Sequence, residues 1–347
     1  MTDYMQAAVL RSVGDITYEK RPVPEISEDQ VLVKIRHCGI CGSDVHYYQH
    51  GRIGDFIVKN PMVLGHECAG EVVAAGSQVT GLKPGDLVAL EPGVPCGVCE
   101  FCREGRYNLC PDVVFMATPP YDGAFMEYIA YPARWCYQLL PGMTTVSGAL
   151  IEPLAVGFHA AGQGHAEVGQ SALILGAGCI GLMTILALKT RGVNEIYVSD
   201  LVDMRLKKAA ELGASHVIHA GEEDVAARIR ELTGNKGVDL VFETAGASIT
   251  TRQTASVVKR GGQVVLVGMA PDPEISYDFS SLMAKEASLS TVFRYHNLYP
   301  VCIDAAGRIP LDLDAVVTKT FNFSEIPEAF EWTIANRNDS VKVVIAF

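Results

Sequence analysis

Residues 171–181 read SALILGAGCIG. A short apolar run enters Gly176-x-Gly178-x-x-Gly181, and the apolar stretch LMTILAL follows. Strand, glycine loop and helix in that order form a dinucleotide-binding turn. Gly176 permits the tight bend, Gly178 lets a pyrophosphate reach the backbone, and Gly181 lets the helix lie close to the sheet. Cys179 and Ile180 complete the loop. Asp200 ends the next apolar run, IYVSD, 19 residues beyond Gly181. Its carboxylate suits the two hydroxyls of an adenosine ribose and repels a 2′-phosphate, which favours NAD over NADP. Arg205 is placed to pair with Asp200 or to lie over the adenine.

Downstream, the pattern predicts strands over 195–199, 216–218, 238–242 and 262–267, with helices over 179–190, 203–212, 222–232 and 248–257. Strands spaced in this way, with helices between them, build a parallel sheet with right-handed crossovers, a doubly wound α/β fold. VFETAG (241–246) and VLVGMA (265–270) end two more strands, so Ala245, Val267 and Gly268 are expected to line the cofactor crevice. Upstream, residues 4–150 read as short strands and Gly-rich turns, a compact β-rich domain. IEPLAVGFHAA reads as a helix after Pro153, with Glu152 just before the turn. KEASLSTVFRYH (285–296) and KVVIAF (342–347) resemble that first region again. The expected plan is an outer domain of residues 1–153 and 290–347 with a nucleotide domain, 154–289, inserted. A chain of 347 residues exceeds the roughly 250–300 that a single core usually serves, in keeping with two domains.

The formal net charge is −12, which argues against a nucleic-acid partner because phosphates would be repelled. An anionic cofactor is still compatible, since backbone amides at a helix N-terminus hold phosphate without net positive charge. The segment nearest to transmembrane length, SALILGAGCIGLMTILAL, carries internal glycines and polar flanks, so a buried strand and helix are expected and no membrane span. The start MTDYMQAAVL lacks a basic and apolar leader. With ten cysteines, several of them clustered, a reducing cytoplasmic setting is the expectation rather than a disulfide framework.

Four of those cysteines, Cys96, Cys99, Cys102 and Cys110, lie within 94–112 at the spacing Cys-x2-Cys-x2-Cys-x7-Cys. Four thiolates at this spacing can close a tetrahedral shell, which suits a structural zinc that holds a loop and does no chemistry. Gly97 and Gly105 are expected to open the turns that bring amide donors to the sulfurs. Elsewhere, Cys41, His66, Glu67 and Glu152 have the chemistry of a second, mixed metal site. Thiolate, imidazole and carboxylate together suit a catalytic zinc with an open position. Spacing alone does not select these four, and Cys38 and Cys68 are rival thiols.

Several long motifs carry a resemblance: CGICGSDVHYYQHGRIGDFIVKNPMVLGHECAG (38–70), GRYNLCPDVVFMATPPYDGAF (105–125), IEPLAVG (151–157), GAGCIG (176–181) and FRYHN (293–297). Across essentially its whole length the chain resembles the zinc-dependent medium-chain alcohol dehydrogenases, closest to the polyol branch of sorbitol and xylitol dehydrogenases. The resemblance implies a GroES-like catalytic domain beside a Rossmann NAD domain, and two zinc ions per subunit. It places Cys41, His66 and Glu67 around the reactive zinc, with Glu67 or Glu152 alternating with water. Cys96, Cys99, Cys102 and Cys110 match the structural lobe. Ser43 resembles the hydroxyl that carries the substrate proton away, and His46 extends that relay. Tyr47, Phe115, Thr118, Arg294 and Tyr295, together with Glu152, match the polyol pocket. Val292 and Arg294 are also set beside the cofactor.

The implied activity is oxidation of a secondary alcohol of sorbitol to the ketose, with hydride passing to NAD+. Xylitol is the nearest alternative, since it differs by one hydroxymethyl unit, a matter of pocket length rather than of catalytic residues. Galactitol, arabinitol and butanediol follow. A non-enzymatic nucleotide-binding protein, and a zinc-free NADP-dependent reductase, are opposed by the metal-ligand set and by Asp200. The resemblance implies a homotetramer, with a homodimer as the alternative.

Overall fold

A computed structural model describes residues 3–272, 274–309 and 311–347. The chain divides into two compact units, Met1–Glu152 with Tyr299–Phe347, and Pro153–Leu298.

In the second unit six parallel strands stand in the order His216–His219, Glu195–Asp200, Ser171–Leu175, Val238–Glu243, Val258–Leu266 and Ser288–Thr291. Ser171–Leu175 is buried at every position, as expected for a central strand covered on both faces. Strand order reverses on either side of it, which makes the loop after Leu175 a topological switch point. The helix Cys179–Thr190 begins at that loop and buries Gly181–Leu188 in one continuous run, so the apolar segment at 171–188 is a strand followed by a core helix. Among the described residues no helix is long and apolar enough to cross a membrane. Leu173, Leu175, Ile218, Ile229, Val241 and Val264 pack together on the sheet.

One reading changes here. SLST lies within KEASLSTVFRYH, the stretch that resembled the first region, and the boundary expected at 289/290 cuts through it. Ser288–Thr291 is instead the sixth strand of the parallel sheet, pairing Gln263 with Ser288 through Leu266 with Thr291. A short, mostly exposed edge strand carries alternation but no mark of which sheet it joins.

The first unit is built on a seven-stranded sheet. Its main path runs Cys136–Gln138, Leu87–Leu90, Glu67–Ala75, Gln30–Ile40, Lys342–Ala346 and Val317–Asn322. Gln30–Ile40 is eleven residues long, long enough to serve two partners on one edge. Its first half pairs with Tyr128–Pro132 and its last residues, His37–Ile40, pair with Lys342–Ala346. A three-stranded sheet of Asp15–Pro22, Tyr4–Ser12 and Met62–Val63 accompanies it. Ile35, Val72, Val88, Leu90, Phe125, Phe330, Val343 and Ile345 belong to one core between these elements. The helix Ile151–Gln163 starts before Pro153, so Glu152 lies in its first turn. Proline is tolerated there because a first-turn residue needs no amide to donate within the helix.

Candidate active site

The Gln30–Ile40 strand delivers Cys41, which caps the N-terminus of the helix Gly42–His50. The Glu67–Ala75 strand delivers Glu67, with His66 immediately before it. Gly39 and Glu67 face each other in the ladder between these strands. Cys41 Sγ, a ring nitrogen of His66 and a carboxylate oxygen of Glu67 all lie within 4.8 Å of one another. His66 is 7% exposed and Glu67 1%.

Asp44, fully buried, ties the two segments together. One oxygen accepts the Cys41 amide at 2.9 Å and the other accepts the Gly65 amide at 2.9 Å. The latter oxygen also stands 3.7 Å from His66 Nδ1. Burial opposes a charge on His66, but Asp44 and Cys41 outweigh it and hold the imidazole well above its ordinary value. Sequence reasoning missed Asp44, which reads as an ordinary acid in the first turn of a helix.

Glu67 has a second partner that the sequence did not announce. Lys342 Nζ lies 2.7 Å from each of its oxygens. The only local signal was one lysine opening an otherwise apolar run, KVVIA.

The rival thiols are distinguished by burial. Cys38 and Cys68 face each other across the same ladder and are buried, which pushes the Cys38 thiol well up and the Cys68 thiol up to about 12. Neither yields a thiolate readily, and Cys41 is the cysteine that joins His66 and Glu67. Glu152 is buried but is not one of that trio. Its charge acts on Cys68 and Glu91. Ser43 is half-buried and His46 exposed, with its ring 5.8 Å from that of His50. Tyr47 is buried, Phe115 places its ring 5.8 Å from that of His66, and Thr118 is half-buried.

The four sulfurs of Cys96, Cys99, Cys102 and Cys110 also lie within 4.8 Å of one another. Cys99 caps the short helix Glu100–Arg103, and Cys110 follows the turn Tyr107–Leu109. Gly97 and Gly105 both adopt φ of 76°, the left-handed conformation that glycine alone takes freely. Amides reach the sulfurs, from Cys96 to Cys110 and from Cys99 to Cys96, each at 3.4 Å. Hydrogen bonds from the amides of Val98 and Cys99 lower Cys96 to about 7.

In the second unit Gly176 has φ of 105°, and a Cβ there would stand 2.9 Å from Ala245. A Cβ on Gly181 would strike the Gly176 carbonyl at 2.0 Å. Gly178, the helix N-cap, faces open space, which is room for a phosphate against the amides of Cys179 and Ile180. Asp200 is engaged by its own backbone. It accepts the Ala177 amide at 2.7 Å, Leu201 at 2.8 Å and Val202 at 3.1 Å, with Arg205 at 4.0 Å. Glu243, also missed by sequence reasoning, clasps the neighbouring loops. Its side chain accepts the Ala245 and Gly246 amides, and its carbonyl accepts those of Val267 and Gly268. Val292 donates its amide to Leu266. Arg294 adopts φ of 54° and lies 4.9 Å over the Phe293 ring, and Tyr295 is buried.

Residues 27–141 match the alcohol dehydrogenase GroES-like domain and residues 179–307 match the zinc-binding dehydrogenase domain. The chain belongs to the zinc-binding alcohol dehydrogenase family. This dehydrogenase is 42% identical over 341 residues to the sorbitol dehydrogenase of Bacillus subtilis (strain 168), covering 98% of this chain and 97% of the relative. A crystal structure of an Escherichia coli oxidoreductase/dehydrogenase of unknown specificity superimposes with a TM-score of 0.96 at 44% identity, covering 99% of both chains. A zinc-binding dehydrogenase from Sinorhizobium meliloti 1021, solved bound to NADP, gives 0.92 at 30% identity over the full length of both. The α/β architecture is therefore a GroES-like domain with a Rossmann-type domain. Both donor sets of this dehydrogenase fit zinc: four thiols, with amide donors on the sulfurs of Cys96 and Cys110, and a thiol, an imidazole and a carboxylate that leave a tetrahedral ion one ligand short.

Proposed function

We propose that this chain is an NAD-dependent polyol dehydrogenase that oxidises a secondary alcohol of sorbitol to the ketose. The observation that carries the reading is the group of half-buried Cys41 with buried His66 and Glu67, a three-ligand set of mixed chemistry on a chain 42% identical to a sorbitol dehydrogenase. Met1–Glu152 with Tyr299–Phe347 serves as the catalytic unit and Pro153–Leu298 as the NAD unit.

When bound at Cys41, His66 and Glu67, zinc supplies Lewis acidity at the alcohol oxygen, and NAD+ supplies the hydride acceptor. Asp44 fixes Cys41 and His66 relative to one another through the amides of residues 41 and 65. Ser43 accepts the hydroxyl proton and His46, exposed to solvent, passes it on. Glu152 is a second acceptor. Tyr47, Phe115 and Thr118 line the polyol, and Arg294 and Tyr295 stay assigned to it by resemblance. Gly176, Gly178, Cys179, Ile180 and Gly181 bind the pyrophosphate, Asp200 and Arg205 the adenosine half, and Ala245, Val267, Gly268 and Val292 the remainder. Loss of a proton and a hydride from one carbinol centre gives the ketose and NADH.

NAD is favoured over NADP because Asp200 brings a negative charge to the ribose end. Xylitol is the second reading, since both polyols present the same first carbons to the same residues. A homotetramer in a reducing, cytoplasmic setting completes the proposal. Ten cysteines, four of them clustered at metal-ligand spacing, support the reducing setting. The test is NAD+- and NADP+-linked oxidation of sorbitol, xylitol, galactitol, arabinitol and 2,3-butanediol by wild type and by Cys41→Ser. Metal polarisation worth several kcal/mol corresponds to a loss on the order of a thousandfold in kcat/KM for the variant. Near-wild-type turnover by zinc-loaded Cys41→Ser rejects the assignment.

A further inference from the structure

Lys342 opens the strand Lys342–Ala346, in which every other residue is apolar. It is 3% exposed. A buried ammonium persists only where partners replace its water, and here they include a carbonyl, Ile40 O at 3.1 Å, and both oxygens of Glu67 at 2.7 Å. Strand register produces the meeting. Val343 lies opposite Ile40, and Gly39 lies opposite Glu67, so the three segments are neighbours in one sheet. Gly39 has no side chain, and the Glu67 carboxylate occupies the space that a Cβ there would need.

We propose that Lys342 is a positioning residue that sets how firmly Glu67 can hold the metal. The inference rests on the reading of Cys41, His66 and Glu67 as a metal centre and deepens it. A cation hydrogen-bonded to both oxygens of a carboxylate withdraws the electron density that a metal would use. Lys342 and zinc therefore compete for Glu67, and the competition keeps Glu67 a weak, exchangeable donor that does not close the ligand set. The sign separates this role from a merely structural one. If Lys342 only neutralised a buried acid, its removal would loosen the site and speed metal loss. If it competes, its removal strengthens Glu67 as a ligand and slows metal loss.

The experiment follows zinc release from the zinc-loaded, full-length protein to the chelating dye 4-(2-pyridylazo)resorcinol. The release phase that disappears in Cys41→Ser identifies this centre. In Lys342→Met and Lys342→Gln that phase should slow by about tenfold or more, the usual scale for outer partners of a ligand. Lys342→Arg, which keeps the charge, should release at the wild-type rate. Glu67→Gln/Lys342→Gln should release as Glu67→Gln does, because without the carboxylate the lysine has nothing to compete for. Should Lys342→Met fail to fold, Lys342→Gln, which keeps a hydrogen-bond donor, decides. Unchanged or faster release in the neutral variants overturns the inference while leaving the metal centre intact. Absence of any Cys41-dependent phase in the wild type overturns both.

Discussion

A Cβ on Gly39 would stand 2.2 Å from Oε2 of Glu67, closer than a side chain can approach. Position 39 must therefore be glycine for Glu67 to lie where Lys342 and the Cys41–His66 pair meet it. Gly39→Ala should displace the carboxylate, break the buried ion pair and cost roughly 1–3 kcal/mol of stability. Urea denaturation and zinc content report the two effects. Wild-type values for both would mean that Glu67 is not fixed by this contact.

The four-cysteine lobe should hold its metal independently of the mixed site. Cys102→Ser should lose one of the two metals expected for the two donor groups and keep the other. Segments 96–110 should then become sensitive to limited proteolysis, because the lobe has little regular structure of its own to hold it. Zinc counted against protein, with and without Cys102→Ser, checks this. Retention of full zinc rejects the lobe as a metal site.

Glu91 provides a pH dependence with a definite sign. Its carboxyl is 1% exposed and is pushed up to about 7 by burial, against the opposing hydrogen bonds from Tyr107 and Tyr137. Tyr107 donates to one of its oxygens at 2.7 Å. Because the folded-state value exceeds the unfolded one, the protonated carboxyl stabilises the fold. That contribution is complete below the ordinary value of 4.5 and is lost as pH rises through about 7. The span corresponds to on the order of 3 kcal/mol at most. Glu91→Gln should flatten the fall in stability between pH 5 and 8, on the order of that same range. Urea midpoints measured across it decide, and an unchanged slope in the variant counts against a buried titrating Glu91.

Asp200 serves both its own backbone and the proposed ribose. Asp200→Ser removes acceptors from the Ala177, Leu201 and Val202 amides along with the negative charge. KM for NAD+ should rise by about tenfold or more, the scale of one or two lost charge-assisted hydrogen bonds, and NADP+ turnover should gain relative to NAD+. Steady-state kinetics with both cofactors test this. An unaltered NAD+/NADP+ ratio would remove Asp200 from cofactor selection.

The parts legible in the sequence were those whose physics is local. ALIL reads as a strand because it is a short apolar run entering a glycine loop, and Gly176, Gly178 and Gly181 record backbone conformations and close approaches one residue at a time. Cys96, Cys99, Cys102 and Cys110 are brought together by turns within fifteen residues, so their spacing carries the geometry. Cys41 and His66 were named through resemblance, because nothing in a separation of 25 residues requires them to meet.

Sequence alone thus determined the glycine loop, the first five strands of its parallel sheet and the gathering of the four cysteines, where chain neighbours are also neighbours in space. Only the tertiary structure decided that Ser288–Thr291 joins the parallel sheet, that Cys41 rather than Cys38 or Cys68 stands with His66, and that Asp44, Lys342 and Glu243 complete the two sites. Those choices depend on strand pairing and burial. Lys342 meets Glu67 across 275 residues of chain because three strands share one sheet in one register, and desolvation then favours pairing of the buried ammonium with the buried carboxylate.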